Sequence, residues 1–410
     1  MARLPLQECT VIPSAPNDPD DDLAMMPGAP VSAREQLLQS APQRAGTGAD
    51  AEYLRSQLIT YIGNKRALLP FIEAGLVHAR QALGGSKIDF LDLFSGSGVV
   101  ARLARQHARR LHCNDLELYS QVVNACHQAD PAAVDPVALA AELDRLRTCT
   151  AGKLSPGFIS ELYAPRDDDD IQPGERAFYT RRNALFLDTF CTALADTAPA
   201  LRPFLLSPVL AQASMYANTS GVFKGFYKNR EGVGQFGGTA RNALSRILRD
   251  IEVQAPVLSR HRCEVQLHRR DANALVRELD PVDVAYFDPP YNEHPYGSNY
   301  FMLNLLCDYR RPAEVSRVSG IPTDWNRSAY NRARAAEDAL FDAIAAVRAS
   351  FVLISYNSEG FIGHERFLQA LQDMGALSVM DTRYNAFRGS RNLAGRDRHV
   401  TEFLYLLDKR

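Results

Sequence analysis

The chain reads as a doubly wound α/β protein whose sheet is interrupted by a mostly helical insertion. Three observations lead there. An apolar segment at 88–94 (IDFLDLF) runs into Ser95-Gly96-Ser97-Gly98, a helical stretch and a second short apolar segment at 111–115 (LHCND). Strand, glycine turn, helix and strand open a parallel sheet. That alternation stops over residues 116–262 and resumes with strand-like segments at 263–268 and 282–288, followed by 351–356 and a closing pair near 376–388 and 399–408.

Taken in order, residues 1–52 form an acidic tail with seven prolines in the first fifty positions and the run Asp20-Asp21-Asp22. Such a segment buries too little apolar surface to offset its ordering entropy, so it is expected to be disordered, with order beginning near Tyr53. Residues 65–83 have helical periodicity, ended by Gly84-Gly85. The helix after the glycine turn is expected to reach about Arg110. Helices are expected at 117–128, 135–149, 175–195 and 201–217, with a loop at 165–173 around Asp167 to Asp170. The glycine-rich stretch 221–238 predicts a hairpin or loop, and helical segments flank 351–356. No internal repeat is evident. The expected division is a tail over 1–52, a sheet-bearing unit over 53–149 and 261–410, and a mostly helical inserted region over 150–260.

Composition narrows the function classes. No window approaches the ~18 apolar residues of a membrane span. The opening MARLPLQECTVIP lacks an apolar core and a small-residue cleavage site, so a soluble, cytoplasmic protein is expected. The seven cysteines are scattered, which suits a reducing compartment and fits neither a disulfide framework nor a zinc site, and no metal is expected. The net charge of −2 does not advertise nucleic-acid binding, but its distribution does. Residues 202–249 carry seven bases (Arg202, Lys224, Lys228, Arg230, Arg241, Arg246, Arg249) against Glu231 alone, and residues 383–398 carry five arginines against Asp397. Such stripes can track phosphates or simply be solvated faces.

Three motifs carry chemistry. In FLDLFSGSGVVA (90–101), two glycines at a strand-to-helix turn let a ligand approach the backbone and its amide donors. The spacing Gly96-x-Gly98-x-x-Ala101 also satisfies a dinucleotide fingerprint, so nicotinamide or flavin binding competes at this point. Asp115, ending the next strand, can accept from both hydroxyls of a ribose or can begin a helix. The third motif is VDVAYFDPPYNEHPYGSNY (282–300). An apolar strand delivers Asp288-Pro289-Pro290-Tyr291 to the carboxyl edge of the sheet, where open α/β folds bind ligands. Two prolines remove two amide donors and leave bare carbonyls. Asp288 and the Pro289 carbonyl then form an acceptor pair suited to a ring-conjugated amino group, with Tyr291 as a flat stacking face. A dehydrogenase leaves this corner without a role.

Together these residues resemble the adenine-specific DNA methyltransferases of the Dam-like class, over about residues 58–408 and in the order cofactor motifs, recognition insert, catalytic motif. The resemblance implies a Rossmann-like methyltransferase sheet and S-adenosylmethionine as cofactor. Tyr61-Ile62-Gly63-Asn64-Lys65-Arg66 is similar to a family segment that often reads Trp-x-Gly-Gly-Lys, with Tyr61 and Asn64 as departures. By that likeness Lys65 would meet the cofactor carboxylate and Tyr61 would line its site. Phe94, Ser95, Gly96 and Gly98 match the methionine-binding loop, Asp115 the ribose carboxylate, and Asp271 a residue near the cofactor adenine. Asp288, Pro289, Pro290 and Tyr291 match the catalytic tetrapeptide. Residues 218–224 (NTSGVFK) resemble the family's Asn-x-x-Gly-x-Phe-Asn recognition stretch, with Lys224 replacing asparagine, and 398–404 (RHVTEFL) resembles its closing segment.

The expected function is methyl transfer to N6 of an adenine rotated out of duplex DNA, in a restriction-modification setting. Lys224, Lys228, Arg230 and Arg241 are the expected phosphate anchors, with Phe226 or Tyr227 as wedges and Tyr300, Asn357 and Arg388 as further pocket candidates. The expected partner is double-stranded DNA, the expected state a monomer, and a cognate restriction endonuclease is left open. The competing readings are cytosine N4 transfer, RNA adenine transfer and a DNA-binding relative without catalysis.

Overall fold

The computed structural model describes residues 49–241, 243–385 and 399–410; the tail over 1–48 and most of the arginine-rich stretch, 386–398 with Arg388, lie outside the described residues. The described chain forms a seven-stranded sheet in the order β3-β2-β1-β4-β5-β7-β6. Its strands are β1 Ile88–Asp92, β2 Ala108–Asn114, β3 Glu264–His268, β4 Val282–Phe287, β5 Ala349–Asn357, β6 Ala376–Asn385 and β7 His399–Asp408. Neighbours from β3 across to β5 pair in parallel, and β7 alone runs antiparallel, between β5 and β6.

The helices are α1 Ala49–Arg55, α2 Leu69–Ala82, α3 Val99–Ala104, α4 Leu118–His127, α5 Pro136–Ala151, α6 Phe158–Leu162, α7 Arg181–Leu194, α8 Arg202–Met215, α9 Leu244–Ile247, α10 Ala272–Glu278, α11 Tyr296–Asn299, α12 Phe301–Asp308, α13 Ala333–Ala346 and α14 His364–Gln372. Both faces of the sheet are covered, as the near-continuous apolar strands require. Alternate residues Phe90, Val284, Leu353 and Leu404 pack under α2 and α3, whereas Leu91, Ala285, Val352 and Tyr405 pack under α10, α13 and α14. A Cβ on Gly75 of α2 would lie 2.7 Å from Leu404, so a glycine lets this helix settle directly on β7. A third core joins α5, α7 and α8 to α4 and α12. No described helix is long and apolar enough to cross a membrane.

The described order starts at α1 rather than at Tyr53 itself, which sits inside that helix, buried, with its hydroxyl donating to the His127 carbonyl at 2.7 Å. The helix expected at 65–83 is a 3₁₀ turn over Lys65–Leu68, capped by Asn64, that feeds α2. β2 begins at Ala108, earlier than its apolar pattern predicts. Arg109 and Arg110 look like a helix end, but they pair with Asp89 of β1 at 2.9 Å each, and Arg109 also reaches Asp283 of β4 at 3.2 Å. Cross-strand charge pairs extend the ladder where hydrophobicity gives no signal.

Candidate active site

Every parallel strand from β3 to β4 delivers at least one predicted residue to the same edge. The turn after β1 holds Phe94, Ser95, Gly96 and Gly98; Asp115 follows β2, Asp271 follows β3 and Asp288 follows β4. All but Gly98 line one cavity of about 930 Å³ that opens to solvent, together with Tyr61, Lys65, Pro290 and Tyr291. Pro289 is buried beside it.

The glycine turn is built for close approach. Gly96 and Gly98 have φ of 49° and 74°, in the left-handed region that disfavours side chains. A Cβ on Gly96 would meet the Tyr61 ring at 2.9 Å, and one on Gly98 would meet Asn124 Oδ1 at 2.7 Å. The Gly96 amide donates to Asp115 Oδ2 at 2.8 Å and the Glu117 amide to Asp115 Oδ1 at 2.9 Å, which fixes that carboxylate against the turn. Asp271 caps α10 through the Ala274 amide at 3.0 Å while lining the cavity, so its capping and cavity positions coincide.

Tyr61 lies nearly parallel to Tyr296 and Tyr300, with centroids 4.8 Å from each. The Ile62 amide donates to the Tyr300 hydroxyl at 2.7 Å, and the Tyr296 hydroxyl donates to the Ile62 carbonyl at 3.1 Å. Two tyrosines that follow the Asp-Pro-Pro-Tyr corner therefore clamp the peptide ahead of Lys65. Tyr300 is a buried strut of this clamp rather than a cavity-lining residue, and Asn357 is likewise buried.

The Lys65 ammonium is buried between two acids, 2.8 Å from Asp288 Oδ1 and 3.4 Å from Glu402 Oε1. Burial alone would pull its pKa down; Asp288 and Glu402 outweigh that and hold it well above the ordinary lysine range. Lys65 thus lines the cavity while paired to both acids, a geometry the resemblance did not imply. Asp288 is raised above the usual carboxylate range by burial, against the opposing pull of Lys65. Tyr291 meets Tyr356 edge-on at 5.9 Å and remains half-buried at the cavity wall.

Sequence reasoning missed three acids here. Asp92 ends β1 at 1% exposure, lines the cavity, and has no hydrogen-bond partner for either carboxyl oxygen among the described residues. Burial first, then the Asp288 and Asp115 carboxylates, push it far up. An acid closing an apolar strand was its available signal. Glu117 is buried beside Asp115 and accepts from Asn304 at 2.6 Å and Asn326 at 3.1 Å; burial pushes it up to about 7. Glu402 lies within the family-like segment 398–404 but is not singled out by it, because an acid near the start of a strand does not read as a site residue.

Comparison with known proteins agrees with this geometry. The D12 class N6 adenine-specific DNA methyltransferase family matches residues 61–315, a span that runs from Tyr61 through the Asp-Pro-Pro-Tyr corner to beyond α12. The chain belongs to that family. It is similar to the type II methyltransferase M.CviAII of Paramecium bursaria Chlorella virus 1, 27% identical over 358 residues that cover 85% of this chain and 98% of that protein. It is also similar to the type II methyltransferase M.NlaIII of Neisseria lactamica, 24% identical over 86% of this chain and 99% of that one. The modification methylase StsI of Streptococcus sanguinis is 24% identical over 85% of this chain and 52% of its own length. The chain is thus an adenine-specific DNA methyltransferase, an enzyme that draws on a methyl donor and acts on DNA.

In this methyltransferase the insertion presents fewer free cations than its sequence suggests. Arg202 donates to the Thr197 and Ala195 carbonyls, Arg246 to those of Ala217 and Thr219, and Arg249 lies 5.5 Å over the Tyr216 ring. Lys224, Arg230 and Arg241 are exposed, and Lys228 is half-buried over Phe226. Phe226 packs edge-on to Phe178 at 5.1 Å, which leaves Tyr227 the freer of the two expected wedges. The segment over 226–235 is a short hairpin, with Lys228 bridged to Gly234 and the Asn229 amide bonded to the Val233 carbonyl. Buried Asn218 ties its base together, donating to the Ala177 and Gln235 carbonyls and accepting from the Gly237 amide. The Phe223 amide donates to the Asn299 carbonyl at 2.7 Å, and Lys224 Nζ lies 3.3 Å from His294 Nδ1, so the hairpin reaches the loop that follows Tyr291.

Proposed function

We propose that this enzyme transfers the methyl group of S-adenosylmethionine to N6 of an adenine extruded from duplex DNA, with Asp288, Pro289, Pro290 and Tyr291 as the catalytic corner. The observation that carries the reading is the Asp288 carboxylate, which faces the same cavity as the glycine turn and Asp115. The residues fit the donor. The Gly96–Gly98 turn leaves no room for side chains, Asp115 suits a ribose diol, and the unpartnered Asp92 carboxyl suits a positively charged end. Tyr61, Lys65, Phe94, Ser95 and Asp271 complete that wall. Bound there, S-adenosylmethionine supplies a methyl group on a sulfonium sulfur, already a strong electrophile.

The chain's own work is placement. Asp288 and the Pro289 carbonyl accept the two N6 hydrogens, which leaves the nitrogen lone pair directed away from the ring plane, and Tyr291 gives the base a stacking face. Holding two reactants in line is the main source of acceleration. Asp288, raised by burial, can take up the proton that the methylated amine releases.

The division into a catalytic unit over 53–149 and 261–410 and a recognition region over 150–260 accompanies this reading. Lys224, Lys228, Arg230 and Arg241 hold the phosphates. Relatives named type II methyltransferases and modification methylases support a restriction-modification role with a cognate endonuclease. A monomeric, cytoplasmic enzyme is consistent with a site formed by one chain. The test is tritiated donor with unmethylated duplex DNA, followed by nucleoside analysis. Wild type should yield N6-methyladenine, and Asp288→Asn should yield none while binding donor normally by calorimetry. Substantial turnover by that variant sinks the assignment.

A further inference from the structure

β7 is the antiparallel strand of the sheet, so its first residues, not its last, stand at the carboxyl edge where the site lies. Glu402 pairs in register with Asn357, the final residue of β5, and shares its face with Leu404 under α2. The 3₁₀ turn at the start of α2 brings Lys65 onto that same face. The result is a buried row of three side chains, with Glu402 at 1% exposure, Lys65 at 3% and the Asp288 side chain at 18%.

We propose that Glu402 is a positioning residue for methyl transfer: it shares the Lys65 ammonium with Asp288, so that Asp288 meets the target amine as an acceptor that is oriented but not fully neutralised. This rests on the reading of Asp288 as the acceptor of N6. One ammonium serving two carboxylates is not given over wholly to Asp288. With Lys65 and Asp288 alone the pair would be neutral, and the ammonium would be free to settle wholly on Asp288. A carboxylate so paired is a weaker hydrogen-bond acceptor for a third group, and desolvation magnifies the difference.

The groups facing Asp288 are Lys65, Glu402 from β7, Asp92 from β1, Tyr286 from β4, and Tyr291 and Tyr296 from the segment after it. Burial keeps Tyr286 and Tyr296 neutral at ordinary pH, and it raises Asp92. Lys65 and Glu402 are the ion-paired neighbours through which a substitution can move the Asp288 titration.

The experiment compares full-length wild type and Glu402→Gln. Single-turnover methyl transfer should fall by about 10- to 100-fold, while donor affinity by calorimetry stays within about threefold, a shift of well under 1.4 kcal/mol. Carbon-13 NMR of labelled aspartate carboxyls, with Asp288 assigned by the loss of its signal in Asp288→Asn, gives a reading independent of turnover. Removing the Glu402 anion removes a repulsion and releases Lys65, so Asp288 should titrate at lower pH. A folded Glu402→Gln enzyme with wild-type transfer, or with Asp288 titrating unchanged or higher, overturns the proposal and leaves Glu402 a buried counter-ion of the fold. If the glutamine variant does not fold, Glu402→Asp keeps the charge on a shorter arm. It should then transfer methyl groups more slowly with the Asp288 titration nearly in place, and an undiminished rate there also overturns the proposal. Failure of the underlying reading is separate, because it appears as turnover in Asp288→Asn.

Discussion

Lys65 Nζ and Asp288 Oδ1 lie 2.8 Å apart although 223 positions separate them in the chain, and the contact joins the turn ahead of α2 to the end of β4. It opposes the effect of burial on the Asp288 carboxyl. Burial raises the Asp288 pKa and Lys65 lowers it. Replacing Lys65 by methionine removes the lowering influence. Asp288 should then be protonated at higher pH, and the acid limb of the single-turnover rate should move upward. A limb that stays in place or moves down would show that Lys65 does not govern Asp288.

The glycine turn gives a prediction about donor binding. Gly96→Ala must accept φ of 49° and place a methyl 2.9 Å from the Tyr61 ring, which is itself stacked on Tyr296 and Tyr300 and cannot retreat freely. Strain of this kind costs about 1–3 kcal/mol. Calorimetry should show donor affinity reduced by about tenfold or more, with a smaller loss in DNA affinity measured without donor. Equal losses in both would point to general unfolding instead.

Much of this was legible in the sequence, and the gaps have physical causes. The strand, glycine turn and Asp-Pro-Pro-Tyr corner announce themselves because each needs unusual residues at fixed spacing. The start of β2 did not, since Arg109 and Arg110 stabilise it through charge pairs with Asp89 and Asp283 that no local pattern encodes. Glu402 was hidden for a second reason. An acid at the end of a parallel strand is read as a site residue, but Glu402 stands near the beginning of one, and only the reversed direction of β7 brings it to the site. The basic stripe misled in part, because backbone carbonyls and a tyrosine ring already occupy Arg202, Arg246 and Arg249.

That partition of the stripe is measurable. Lys224→Ala, Arg230→Ala and Arg241→Ala should leave thermal stability unchanged and each reduce the slope of log K against log salt by about 0.9. Arg246→Ala should behave differently. It strips a half-buried donor from the Ala217 and Thr219 carbonyls, at a cost of about 1–3 kcal/mol in stability, and its effect on DNA affinity should follow from loosening of the segment. A salt slope unaffected by all three exposed variants would remove them from the phosphate track.

Asn218 offers a test of how the hairpin is held. Its side chain makes bonds to Ala177, Gln235 and Gly237 from a fully buried position, so it acts as a peg for the segment that carries Lys224 and Lys228. Asn218→Ala should expose amides of residues 226–238 to hydrogen exchange and weaken DNA binding, with donor affinity retained. Exchange confined to other regions would contradict the peg.

Glu117 supplies a prediction about pH. Its carboxyl is buried, accepts from Asn304 and Asn326, and is pushed up to about 7 from an ordinary 4.5. Between those values the folded protein holds a proton at this site that the unfolded chain has lost. Stability contributed by Glu117 is therefore present at low pH and declines as pH rises from about 4.5 to 7. Asp92, Asp115 and Asp288 are raised as well, so the wild-type curve alone does not isolate Glu117. Glu117→Gln isolates it, because glutamine retains an oxygen for the two asparagine amides and cannot ionise. The difference in urea midpoint between wild type and Glu117→Gln should move steadily in favour of the variant across that window and level off above it. Parallel curves from pH 5 to 8 would mean that this carboxyl titrates like an exposed one.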